Sequence, residues 1–189
     1  MFCKKTKSWP VVLQRKKQNY AVLLHSTPRG TTNPVNPRLS ASYKKMSVLT
    51  IAGFDPTGGA GILRDISVFN SLGTPYNAVP TSLTIQTPEK AISTSGIPII
   101  YIEELLSSLK DFRGVKIGML YNEKVVKIVS NFLKERTPEF TVLDPIINSS
   151  SGFPLISEKG LEKMKKSLIP IIDFITPNLE EGKLLTGEK

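Results

Sequence analysis

The sequence predicts an α/β fold with a mainly parallel sheet and helices on both faces. Three observations lead there. From Met46 onward, short apolar runs of strand length alternate with stretches whose apolar residues recur every three or four positions. This βαβα order is the signature of parallel strands joined by crossover helices. The chemically distinctive motifs also fall where strands end, which is where parallel sheets bind ligands.

Val48–Ala52 reads as the first strand. Ile62, Ile66, Phe69 and Leu72 share one face of a helix, and Tyr76–Ile85 reads as a second strand region. Ile102, Leu105, Leu106 and Leu109 mark the next helix. Val115–Leu120 is a strand closed by a Gly-Met turn. Val125, Ile128, Val129, Phe132 and Leu133 mark a further helix. Phe140–Leu143 is a short buried strand ended by Asp144-Pro145. Leu161, Met164 and Leu168 mark a helix, Ile171–Ile175 a strand, and a last helix opens at Leu179.

Residues 1–45 differ from this body. They hold ten Lys or Arg and no Asp or Glu, with Pro10, Pro28, Pro34 and Pro37 interrupting them. The net charge of +9 therefore belongs to the leader; the remainder has 15 basic against 16 acidic residues. A near-neutral body lacks the basic footprint of a nucleic-acid binder. The leader is expected to be disordered, either as an organelle transit peptide or, the preferred reading, as the product of a start codon placed too early. Residues 46–189 are expected to form the domain. Its longest apolar runs are too short to span a membrane.

The only Cys (Cys3), His (His25) and Trp (Trp9) lie in the leader. The body thus has no zinc cluster, Ser-His-Asp triad or Cys nucleophile. It also has no disulfide, which makes a reducing cytoplasm the default compartment.

Gly53-Phe54-Asp55-Pro56-Thr57-Gly58-Gly59-Ala60-Gly61-Ile62, followed by Asp65, runs from a strand into a helix. Its glycines allow positive φ and close approach of a ligand to backbone. The N–H groups at the helix start are expected to be open to an acceptor. Neither the Walker spacing nor the dinucleotide fingerprint is present. A plain chain-reversing turn explains the composition equally well. Gln86 closes a strand; its carboxamide offers a donor and an acceptor together, or is simply the polar end of that strand. Met119 follows Lys116-Ile117-Gly118 and would place a thioether against an aromatic ring, or simply pack in the core. Asp65 suits the helix dipole. Asn178-x-x-Glu181 has the form of a capping box, and Asp144 that of a turn residue before Pro145.

The run Leu49-Thr50-Ile51-Ala52-Gly53-x-Asp55-Pro56-Thr57-Gly58-Gly59-Ala60-Gly61-Ile62-x-x-Asp65 resembles the amino-terminal signature of hydroxymethylpyrimidine/phosphomethylpyrimidine kinases. Thr81-x-Leu83-x-x-Gln86, Lys116-Ile117-Gly118-Met119-Leu120, Val142-Leu143-Asp144-Pro145, Ser151-Gly152 and Thr176-Pro177-Asn178-Leu179-x-Glu181 match in the same order, over about residues 47–188. The resemblance implies a ribokinase-like three-layer sandwich, incomplete at its carboxyl end. It also implies ATP-dependent phosphorylation of hydroxymethylpyrimidine and of its monophosphate in thiamin biosynthesis, with ATP and Mg²⁺ as cofactors. By the same resemblance, Gly53, Ala60, Asp65, Gln86, Met119 and Ile146 bind the pyrimidine, while Asp144, Asn178 and Glu181 lie near metal and phosphate.

Two departures bear on substrate identity. Phe54 stands where the family has a small hydroxyl residue, and Gln86 is followed by Thr87-Pro88 rather than Asn-Thr. The family's Gly-Thr-Gly-Cys or Gly-x-Gly-Asp anion hole has no counterpart before Lys189. The chain is therefore expected to be carboxyl-terminally truncated, with no catalytic residue of its own, inactive alone, and with an unpaired sheet edge. A pyridoxal-kinase-like vitamin kinase and a non-catalytic pyrimidine-binding protein are the alternatives. The expected partner is a small pyrimidine, with neither nucleic acid nor membrane involved and homo-oligomerisation left open.

Overall fold

The computed structural model describes residues 13–16, 19–22, 47–87, 91–110 and 112–187. Eight strands form one mixed sheet: β1 (Leu13–Lys16), β2 (Asn19–Val22), β3 (Val48–Phe54), β4 (Tyr76–Gln86), β5 (Ala91–Gly96), β6 (Gly114–Ile117), β7 (Phe140–Leu143) and β8 (Phe174–Ile175). The helices are α1 (Gly61–Ser71), α2 (Ile99–Ser108), α3 (Glu123–Arg136), α4 (Glu158–Lys163) and α5 (Leu179–Thr186). The strand order is β2-β1-β8-β7-β6-β3-β4-β5. From β8 through β7, β6 and β3 to β4 the pairing is parallel.

From β3 the chain moves one way to β4 and β5, and β6, β7 and β8 then build on the other side. The strand order thus reverses between β4 and β6, next to β3. This is the switch point at which open parallel sheets leave a crevice.

Alternation along β3 separates the two faces. Leu49 and Ile51, both fully buried, join Val115, Ile117 and Leu143 in a core with Ile102 and Leu106 of α2 and Val125, Val126, Val129, Phe132 and Leu133 of α3. Thr50 points the other way, toward Asp65 on α1. The sheet is therefore covered on both faces, which confirms the three-layer expectation. Asn122 caps α3 by accepting from the Lys124 and Val125 N–H groups at 3.0 and 3.1 Å. Phe132 of α3 also stacks on Phe112, with ring centroids 5.5 Å apart.

Several elements differ from the sequence expectation. Ala91–Gly96 forms β5, an antiparallel edge strand with a register shift at Gln86; its Ser and Thr content gave no apolar run to signal it. The helix expected around Leu161–Leu168 is α4 followed by a π-turn at Met164–Leu168. Ile171, expected to open a strand running to Ile175, instead closes a 3₁₀ turn at Ile169–Ile171, which Pro170 suits; only Phe174–Ile175 pairs. Leu72, expected on the buried face of α1, is 67% exposed at its C-cap.

Within residues 1–45, β1 and β2 form an antiparallel hairpin, and β1 pairs with β8 through Leu13↔Ile175 and Gln14↔Phe174. The β8 edge, expected to be bare, thus has a partner there. The rest of residues 1–45 lies outside the described residues, as does Pro88 beside Gln86.

Tyr121, just after β6, has φ +64°, a left-handed conformation rare for an aromatic residue. Its ring lies on Gly96 at the end of β5, where an added Cβ would come within 2.5 Å of Cε1. This contact ties the β4–β5 hairpin to the turn after β6.

Candidate functional site

A cavity of about 300 Å³ opens at the switch point, lined from β3, α1, β4 and the segments following β6 and β7. It contains all seven body residues assigned to the pyrimidine or to Asp144's role at strand ends: Gly53, Ala60, Asp65, Gln86, Met119, Asp144 and Ile146. Asn178 and Glu181, expected beside metal and phosphate, are not among the lining residues.

The glycine-rich turn is organised by one carboxylate. Asp55 is 5% exposed. Its Oδ1 accepts from the Thr57 N–H and Oγ1, both at 2.8 Å, and its Oδ2 accepts from the Ala60 N–H at 2.9 Å. The Gly59 N–H donates to Thr57 Oγ1. The Ala60 donor, at the N-cap of α1, is therefore spent inside the turn. Gly61 has φ +60°, and a Cβ there would meet the Gly53 carbonyl oxygen at 2.3 Å. Glycine at this position lets the turn cross its own strand.

Asp65 and Lys116 form the charged floor. Thr50 Oγ1 donates to Asp65 Oδ2 at 2.5 Å, and the Lys116 ammonium donates to the same oxygen at 3.0 Å. Gly118 leaves room for that ammonium, since a Cβ would lie 3.1 Å from Nζ. Burial pushes the Asp144 carboxyl above the usual carboxylate range; the Lys116 charge pulls it back and the Asp65 charge pushes it further up. Glu181 is also held up, first by burial and then by Asp144, against the lowering effect of N–H groups from Asn178 and Ile147.

Asn178 and Glu181 form a capping box at α5: the Glu181 N–H donates to Asn178 Oδ1, and the Asn178 N–H donates to Glu181 Oε2, each at 2.9 Å. The structural half of the two-sided sequence expectation is therefore met. Among the described residues no cluster of three or more His, Cys, Asp or Glu forms a metal site.

Met119 is 5% exposed and walls the cavity. Thr81 Oγ1 donates to the Met119 carbonyl at 2.6 Å, and Thr84 Oγ1 to the Phe54 carbonyl at 2.9 Å. Hydroxyls of β4 thus hold the end of β3 and the segment that follows β6. Sequence reading missed Lys116 and Thr50 as site residues. The available signal was a polar residue between buried apolar neighbours in each strand, facing the α1 layer by alternation.

An α/β sandwich with a small-molecule cavity at its switch point and a Lys–Asp floor is a ribokinase-like arrangement. The family model described as phosphomethylpyrimidine kinase matches residues 55–189, and the chain belongs to that family. It is 44% identical over 147 residues to the hydroxymethylpyrimidine/phosphomethylpyrimidine kinase of Aquifex aeolicus (strain VF5), covering 76% of this chain and 58% of that relative. The chain thus spans little more than half the length of the curated relatives it matches. The crystal structure of phosphomethylpyrimidine kinase from Clostridium difficile 630 is 34% identical with a TM-score of 0.70, over 76% of this chain and 63% of that one. A pyridoxal kinase from Staphylococcus aureus, solved with AMP-PCP and pyridoxal, is 27% identical with a TM-score of 0.67, over 76% and 52%.

Proposed function

We propose that the chain carries the pyrimidine site of an ATP-dependent phosphotransferase acting on hydroxymethylpyrimidine and its monophosphate. One observation carries this reading: Gln86, Met119, Gly53, Ala60, Ile146 and Asp65 line a single cavity at the carboxyl ends of the strands. Gln86 would read the aminopyrimidine edge, with Met119 and Ile146 against the ring. Gly53 and Ala60 allow close backbone approach, and Asp65 stands on the cavity floor.

The name of the Aquifex relative and the AMP-PCP in the pyridoxal kinase support ATP as phosphoryl donor. Mg²⁺ suits Asp144, whose half-buried charge a cation would relieve. Mg²⁺ is commonly held by one or two carboxylates together with substrate phosphates, which needs no all-protein cluster. Glu181 would support Asp144 from α5 while its capping box keeps that helix start in place. When bound, the ion would neutralise charge on the transferred group. No helix among the described residues is long and apolar enough to cross a membrane, and a cytoplasmic setting goes with this reading.

Calorimetric titration of hydroxymethylpyrimidine into the parent chain and Gln86→Ala tests the proposal. An unmade buried hydrogen bond costs about 1–3 kcal/mol, so affinity should fall roughly 5- to 150-fold. Gln86→Glu keeps acceptors but lacks the amide donor and should also bind more weakly. Unchanged affinity in a folded Gln86→Ala would defeat the assignment. The pyridoxal kinase similarity makes pyridoxal the competing ligand; tighter binding of pyridoxal would move the reading to that substrate.

A further inference from the structure

Behind the cavity wall, three residues from three strands or strand ends meet in a space with no slack. Ser82, in the middle of β4, is fully buried and does not line the cavity. Its hydroxyl donates to Met119 Sδ at 3.4 Å. Gly53 closes the third side: a Cβ there would lie 2.8 Å from Met119 Sδ and 3.0 Å from Ser82 Oγ. The Met119 backbone is already fixed by Thr81.

A methionine side chain has three rotatable bonds and ordinarily adapts to whatever it touches. Here its sulfur is held from behind by a donor and from the side by bare backbone. Serine is a costly residue to bury unless its hydroxyl has a partner, and the thioether is the partner it has.

We propose that Ser82 is a specificity-determining positioning residue: by holding the Met119 thioether against Gly53, it fixes the shape of the wall that a ligand ring meets. The part of this inference that concerns a ring ligand rests on the proposed function; the part that concerns Met119 itself does not. Ser82 does not line the cavity and would act through Met119. A rigid wall favours one substituted ring over another of different outline, whereas a loose methionine would accept several with less discrimination.

The test uses the full chain labelled at its methionine methyl groups, with the Met119 signal assigned by its loss in Met119→Leu. Met164, fully buried in the core, is the internal control. In Ser82→Ala the Met119 methyl is expected to shift and its order parameter to fall, while the Met164 methyl stays in place. Ser82→Cys retains a weak donor at similar volume and should lie closer to the parent. An unmoved Met119 methyl in Ser82→Ala overturns the proposal, as does an equal displacement of Met164, which would mean general loosening. Titration with hydroxymethylpyrimidine should show a loss of affinity of roughly 2- to 12-fold in Ser82→Ala, the range expected for one hydrogen bond. Pyridoxal, the larger ring ligand, should lose less. Equal losses for both ligands overturn the specificity role. If the parent binds neither ligand, the proposed function fails, and the methyl spectra still decide whether Ser82 holds Met119.

Discussion

Lys116 of β6 and Asp65 of α1, 51 residues apart in sequence, meet at 3.0 Å on the floor of the cavity. The pair is mostly shielded, with side chains 26% and 15% exposed. Thr50 reaches the same carboxylate oxygen, so β3, β6 and α1 are joined at one atom.

Removing the ammonium in Lys116→Met leaves Asp65 with Thr50 alone and takes away the charge that offsets Asp144. A charge-assisted hydrogen bond is worth about 1.5–3 kcal/mol, and the residual exposure places the expected loss toward the lower end. Urea denaturation of parent and variant measures it. Equal midpoints would show that the pair contributes nothing to stability.

Asp144 should make stability depend on pH in an unusual sense. Its folded carboxyl is held above the ordinary range by burial, so the folded state binds this proton more tightly than the unfolded chain. The associated penalty is absent at low pH. It appears as pH rises from the ordinary carboxylate value of about 4 through the raised value. Asp144→Asn removes the penalty, and its stability advantage over the parent should shrink as pH falls from 7 toward 4. An advantage that stays constant or widens over that range would contradict the assignment.

Two glycines make a paired prediction. Gly61→Ala forces a Cβ onto the Gly53 carbonyl at positive φ. Strained backbone of this kind costs about 1–3 kcal/mol, and the backbone clash adds to it. Gly114→Ala meets only the ring of Phe140, which is 41% exposed and free to swing outward. Thermal melts should therefore show the larger loss at Gly61; the reverse order would mean that the turn yields more easily than the ring.

Asn178→Ala removes one arm of the capping box on α5. N-cap truncations cost about 0.5–2 kcal/mol. Asn178→Asp should recover most of it by accepting from the same Glu181 N–H. No loss in Asn178→Ala would show that this arm of the capping box does not stabilise the helix.

We further propose that residues 1–45 are dispensable for folding of the body. The described part of this leader meets β8 through only two residue pairs. With hydrogen bonds worth about 0.5–1.5 kcal/mol net each, a chain beginning at Met46 should melt close to the full chain. A large drop in melting temperature would make the hairpin part of the domain.

The parallel body was legible because its strands carry short runs rich in apolar residues and its helices repeat at 3.6 residues. Val125, Val129, Phe132 and Leu133 of α3 are all buried as their spacing demands. β5 was not legible, because Ser93, Thr94 and Ser95 lie on an edge strand with no apolar face to declare. The π-turn at Met164 keeps Met164 and Leu168 buried, so a helical pattern conceals the change of winding. At the site, residues singled out by a motif (Gly53, Gln86, Met119) come together on one cavity. Lys116 was passed over because its role depends on Asp65, a partner that only the folded sheet brings near. Asp55 was read as part of a ligand loop, although its carboxylate serves the loop's own N–H groups.

The contact of Tyr121 with Gly96 limits the order in which this sequence can change. A Cβ at 96 would come within 2.5 Å of the ring at 121 as it stands, and the residue that carries that ring has a left-handed backbone. Enlargement at 96 is therefore open only after the ring at 121 has been shortened. Glycine at 121 would in addition relieve the backbone. The two positions form a one-way path for substitution: a variant library that randomises 96 alone should return glycine, whereas one that randomises both should return paired exchanges.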